Sequence, residues 1–139
     1  MTPTHRKIVY AVSFETLGTL VASAFLWTVS DASAGSSLAL SILTATIALC
    51  WSVGFNTVFE SWEARQAVRG RSLRRRTAHA LLFEGGLVLI CIPVMAWWLQ
   101  VGYLQALVYE GGLIVVFLLY TYLFTWAFDR FFGLPASAR

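Results

Sequence analysis

A single shift of 69 residues lays one half of the sequence onto the other, and each half has the pattern of a membrane hairpin. Phe14-Glu15 falls on Phe83-Glu84, Phe55-Asn56-x-x-Phe59-Glu60 on Phe124-Thr125-x-x-Phe128-Asp129, and Arg6-Lys7 on Arg75-Arg76. Agreement at both ends of the hairpin marks an internal repeat, not a chance dipeptide. It aligns four acids as two pairs, Glu15 with Glu84 and Glu60 with Asp129. A carboxylate at the centre of a membrane helix costs roughly 2.5–3.5 kcal/mol on insertion scales, so repeating it implies a role.

Of 139 residues, 58% are apolar and 12% charged, against about a quarter charged in soluble domains. Four apolar runs, Ile8–Val29, Leu38–Phe59, Ala78–Leu99 and Leu104–Phe128, each reach the ~20 residues that span a ~30 Å hydrocarbon core. The expected fold is an all-α integral membrane protein of four transmembrane helices, arranged as two tandem two-helix repeats of the same orientation. Residues 1–139 are read as a single membrane domain, with hairpins at 6–62 and 75–131 joined by a basic cytoplasmic loop at 63–74. The first run has the position of a secretory signal. Its registered counterpart is internal, however, and Glu15 interrupts it, so it is read as a retained helix.

All ten Lys and Arg residues, Arg6, Lys7, Arg65, Arg69, Arg71, Arg74, Arg75, Arg76, Arg130 and Arg139, sort to one side of an up-down model. The positive-inside rule then puts both termini and the central loop in the cytoplasm. Two crossings per repeat predict a pseudo-twofold axis along the membrane normal. Topology and anionic lipid heads account for the net charge of +3, and no nucleic-acid partner is expected. Cys50 and Cys91 lack metal or redox spacing and are read as packing residues without a disulfide.

Glu15 lies about seven residues, or ~10 Å, inside the cytoplasmic end of helix 1, and Glu84 lies at the matching depth in helix 3. The Glu15 face continues through Gly18, Thr19 and Ala22, small residues expected to turn it into the bundle; Gly85 and Gly86 follow Glu84. Either acid could instead serve only an interhelical hydrogen bond. Asn56 and Glu60, like Thr125 and Asp129, share a face four residues apart. Trp51, Phe55 and Phe59 form an i, i+4, i+8 stripe matched by Tyr120, Phe124 and Phe128, with Trp62 and Phe131 beyond. Such stripes are read as helix packing and aromatic belt or as walls that hold a flat cation. Glu110 pairs with no acid in the repeat; it is read as an outer proton or substrate site or as an interfacial acid reaching water. His79 is read as an interfacial hydrogen-bonding residue and Pro93 as a bend or hinge in helix 3.

An acid in apolar surroundings holds its proton at neutral pH and can release it when a cation arrives. A site of that kind facing the two sides in turn would suffice for antiport, driven by about 2.3 kcal/mol per charge per 100 mV. No metalloprotease, Walker, serine-hydrolase or haem signature is present in the sequence, so no enzyme activity and no cofactor or metal is expected. The competing reading is a nonenzymatic membrane structural or assembly protein whose buried acids are structural. A small multidrug resistance exporter also has four helices and a helix 1 glutamate, but a tandem hairpin with an Arg-rich centre fits it poorly.

Four segments resemble the proteobacterial antimicrobial compound efflux family, with its bacterial transmembrane pair domain: Phe14-Glu15 with its surroundings, Trp51 to Glu60, Arg76 to Leu87 and Tyr120 to Asp129. The resemblance covers nearly the whole chain. It implies a proton-coupled exporter of cationic biocides such as chlorhexidine, dequalinium, benzalkonium and acridines, or of short-chain diamines, in the bacterial inner membrane. The family's proton-coupling acid maps onto Glu15, with Glu84 as its repeat mate. The expected substrate-binding set is Glu15, Trp51, Phe55, Asn56, Glu60, Glu84, Tyr120, Phe124 and Asp129. Expected partners are cationic amphiphilic drugs or diamines, protons and membrane lipids, with a homodimer as a candidate assembly. The sequence departs from the pattern at Tyr10, where His is common, at Lys7, and at Ser52, where Asn is common. These departures put a first-repeat His relay in doubt.

Overall fold

A computed structural model describes residues 2–67, 70 and 72–134. The described residues form four helices, α1 (Pro3–Val29), α2 (Ala34–Ala64), α3 (Leu73–Leu99) and α4 (Tyr103–Phe132). All four are long and apolar enough to cross a membrane, and the chain is an all-α, multi-pass membrane protein. Large apolar side chains face outward on them, as lipid requires: Leu89 is 73% exposed and Trp97 69%.

All four helices outrun their apolar stretches, and at the starts of α1 and α3 capping chemistry, not hydropathy, sets the end. Thr2 caps α1, accepting from the amide of His5 at 3.2 Å, and Pro3 takes the first helical position. Ser72 caps α3 by accepting from Arg75 at 3.3 Å. At the other end of α3, Gln100 adopts a left-handed conformation (φ 55°), and the Val101 amide closes on Ala96 O at 3.1 Å. Pro93 lies inside α3, which runs unbroken from Leu73 to Leu99.

Two compact units emerge. The first comprises residues 1–41 and 111–139, hence α1, the start of α2 and most of α4; the second comprises residues 42–110, hence most of α2, α3 and the start of α4. Each unit therefore takes its main helices from different repeats, α1 with α4 and α2 with α3. Within the first unit Phe25 packs on Gly112, where a Cβ would stand 2.5 Å from the ring. Basic residues collect at one end of each unit: Arg6, Lys7 and Arg130 in the first, Arg65 and Arg74 to Arg76 in the second. Arg69, Arg71 and Arg139 lie outside the described residues.

The packed face of α1 is the i+4 row Tyr10, Phe14, Gly18, Ala22 and Leu26, half-buried at its first two positions and buried at the last three. In α3 the equivalent row is His79, Phe83, Leu87, Cys91 and Met95. Rows of this spacing are the ridges that interdigitate between helices. Glu15 and Glu84 each sit one residue past a ridge member, about 100° round the helix. Both are exposed, which corrects the expectation that the Glu15 face turns inward: Gly18 and Ala22 do so, and the acid stands beside the ridge.

Candidate functional site

The two units repeat one side-chain arrangement. In the first, Tyr10 stacks on Phe14 at 5.9 Å and meets Phe124 and Phe128 edge-on at 5.3 and 5.1 Å. In the second, His79 stacks on Phe83 at 6.1 Å and meets Phe55 and Phe59 edge-on at 5.1 and 4.7 Å. The 69-residue shift carries each contact onto its counterpart. The stripes Trp51, Phe55, Phe59 and Tyr120, Phe124, Phe128 thus close against the rows that flank Glu84 and Glu15. Trp62 and Phe131, beyond them, are exposed.

Polar contacts follow the same correspondence with different atoms. Tyr10 Oη and Thr125 Oγ1 are 3.4 Å apart, and His79 Nε2 and Asn56 Oδ1 2.7 Å. Asn56 turns its amide nitrogen to Ser52 Oγ at 3.4 Å, leaving the carbonyl oxygen for the imidazole, so Nε2 donates. His79 is therefore a hydrogen-bonding residue, as expected. The Tyr10 departure has its match in Thr125, where the second unit has Asn56. Tyr120 Oη donates to Phe14 O at 2.8 Å, and Trp51 Nε1 to Phe83 O at 3.0 Å. Tyr120 also packs on Gly18, 3.3 Å from where a Cβ would stand, and Trp51 packs on Gly86 so closely that a Cβ there would overlap its ring. Gly85, by contrast, has nothing near it.

Correspondence breaks at the basic end. Arg6 Nη2 lies 2.6 Å from Asp129 Oδ1, donates to Gly133 O at 2.9 Å, and its guanidinium sits 5.0 Å from the Phe128 centroid. Arg75 instead sits over Trp62 at 5.5 Å and donates to Gly70 O at 2.8 Å, while Glu60 is exposed. Of the expected cation-binding acids, Asp129 is therefore engaged within the protein and Glu60 faces outward.

Glu110 is 9% exposed, so an interfacial acid reaching water does not describe it. Its ionisable neighbours in the second unit are Glu84 and the buried thiol of Cys91. Cys91 packs as expected, but Cys50 faces outward and lines an open apolar groove of about 370 Å³ with Thr46, Ile47, Trp51 and Ile90. Among the described residues no group of three or more His, Cys, Asp or Glu side chains is placed to hold a metal ion.

Sequence reasoning missed the roles of Tyr10, Phe14, Phe83 and Thr125. The signal for Tyr10, Phe14 and Phe83 was the four-residue spacing of the rows, and for Thr125 its register with Asn56. It also missed the burial of Ser37 and Ser41 (0% and 2% exposed), one turn apart at the start of α2.

A family model described as chlorhexidine efflux transporter matches residues 2–65 and again residues 71–134. A short-chain diamines transporter of Vibrio parahaemolyticus is 35% identical over 128 residues, covering 91% of this chain and 89% of the relative. Another, of Acinetobacter baylyi, is 32% identical over 124 residues, covering 89% and 87%. A third, of Acinetobacter baumannii, is 27% identical over 125 residues, covering 90% and 86%. No solved structure matches the chain. Matched twice in tandem across four membrane-length helices, the chain belongs to the chlorhexidine efflux transporter family, the proteobacterial antimicrobial compound efflux proteins.

Proposed function

We propose that the protein exports organic cations across the bacterial inner membrane in exchange for protons, with both termini cytoplasmic. The carrying observation is the pair of exposed acids, Glu15 and Glu84, repeated at one position beside matching aromatic clusters. An exposed carboxylate at membrane depth needs a counterion or a proton, and an organic cation and a proton compete for it. The similar short-chain diamines transporters suggest diamines as one substrate class. Flat biocides such as dequalinium or acridines add ring contact with Phe55, Phe124, Trp51 and Tyr120.

Other residues divide by what already holds them. Glu60, exposed at the basic end, attracts cations from the cytoplasm. Asp129 is anchored to Arg6 and Asn56 to His79, so both shape the site more than they bind substrate. Glu110, buried and a neighbour of Glu84, supplies a second place for a proton. Lipids surround the apolar helix faces, and a second copy of the chain could cover part of them.

The test is dequalinium binding to detergent-purified protein across a range of pH. Protons neutralise the acids the dication needs, so affinity should fall as pH is lowered and be lost in Glu15→Gln/Glu84→Gln. Binding that ignored pH, or that kept full strength in the double variant, would remove these carboxylates from the site.

A further inference from the structure

We propose that Tyr120 and Trp51 are positioning residues for Glu15 and Glu84: each donates a hydrogen bond to the carbonyl preceding its acid and so fixes how that turn presents its carboxylate. The bonds are Tyr120 Oη to Phe14 O, 2.8 Å, and Trp51 Nε1 to Phe83 O, 3.0 Å. Inside a helix a carbonyl already accepts from the amide four residues on, and its second lone pair takes the side chain. The backbone does not need this extra bond. A phenol and an indole differ in length and in donor atom, yet both reach the one carbonyl in their helix that precedes the acid.

Each ring also presses on the far side of the same turn, Tyr120 against Gly18 and Trp51 against Gly86. The aromatic therefore straddles the acid, bonded before it and packed after it. A roll of α1 by one residue's angle, about 100°, would exchange Glu15 with Phe14 on the packed ridge. The bond to Phe14 O opposes that roll and holds the carboxylate outside the ridge; breaking it is the local event that would let the acid turn inward. The ionisable side chains seen at this turn within the unit are Tyr120, bonded to Phe14 O, and Tyr10, stacked on the Phe14 ring. Arg6 lies more than two helical turns back along α1, paired there with Asp129 of α4.

The inference rests on Glu15 being a site where cation and proton compete, and the experiment separates the two claims. Dequalinium binding is measured by equilibrium dialysis from acidic to alkaline pH for Tyr120→Phe, Tyr120→Trp and Glu15→Gln, each checked for helicity and a single size-exclusion peak. Tyr120→Phe keeps the ring and removes only the donor. It should weaken alkaline binding about fivefold and displace the pH midpoint, and Tyr120→Trp, the donor used by the other unit, should restore both. Trp51→Phe and Trp51→Tyr provide the same test at Glu84 if the Tyr120 variants do not fold. Wild-type binding and midpoint in Tyr120→Phe, with Glu15→Gln defective, would overturn the positioning role alone. Wild-type binding in Glu15→Gln would overturn the cation site, and this inference with it.

Discussion

Arg6 and Asp129 form an ion pair of 2.6 Å that ties the first turns of α1 to the last turns of α4, whereas the equivalent Arg75 is engaged by Trp62 and Gly70. One unit thus closes its basic end with its repeat acid, and the other leaves the corresponding Glu60 facing out.

That asymmetry predicts unequal effects of neutralising the two acids. Asp129→Asn should lower stability by about 1 kcal/mol, the upper end for exposed pairs, because this pair is part-buried, with little effect on cation affinity. Glu60→Gln should leave stability unchanged and weaken cation binding. Thermal unfolding in detergent and dequalinium titration read the two effects separately; a stability loss at Glu60 with none at Asp129 would reverse the assignment.

His79 and Asn56 should be energetically coupled. Replacing either by Ala leaves the other's polar atom without this partner in a part-buried place, His79 among Phe55, Phe59 and Phe83, so a double-mutant cycle should give a coupling of about 1 kcal/mol. The exchange His79→Tyr with Asn56→Thr imports the Tyr10–Thr125 pair and should fold better than His79→Tyr alone. Additive losses in the cycle would mean that the 2.7 Å contact contributes nothing.

Neighbouring glycines should respond differently to one methyl group. Gly86→Ala drives a Cβ into the Trp51 ring, while Gly85→Ala meets open space. Overpacking of this kind costs about 1–3 kcal/mol, so Gly86→Ala should unfold at lower temperature and lose export, and Gly85→Ala should retain both.

Four helices, the tandem repeat and its acids were legible in the sequence because lipid imposes a minimum apolar length and duplication leaves a fixed register. Helix ends were less so. Apolar runs measure the membrane, whereas α1 continues back through Arg6 and Lys7 to its Thr2 cap and α2 onward to Ala64. Partner choice was hidden: the rows through Phe14 and Phe83 say that a ridge exists, not which helix receives it, and each packs against a helix of the other repeat. Reading the Glu15 face as the small residues Gly18 and Ala22 missed the aromatic start of that row, so the acid was turned inward by one step too many. Nothing in the repeat marked Glu110 as buried, since the shift places it on Ser41, itself buried.

Membrane orientation has a direct check. In a background lacking Cys50 and Cys91, cysteines at Asp31 and Arg65, both exposed, should label from opposite sides with an impermeant maleimide, Asp31→Cys from outside. Labelling of both from outside in intact cells would contradict four crossings with cytoplasmic termini.

Central to the account is exchange of a proton for a cation at Glu15, and transport by purified protein in liposomes measures it most directly. With a pH gradient imposed and a diamine or dequalinium supplied, cation should move against the proton flow and stop when the gradient is collapsed. Glu15→Gln, reconstituted to the same density, should lose this gradient-driven movement. Undiminished gradient-driven transport by Glu15→Gln, or wild-type transport indifferent to the gradient, would contradict it.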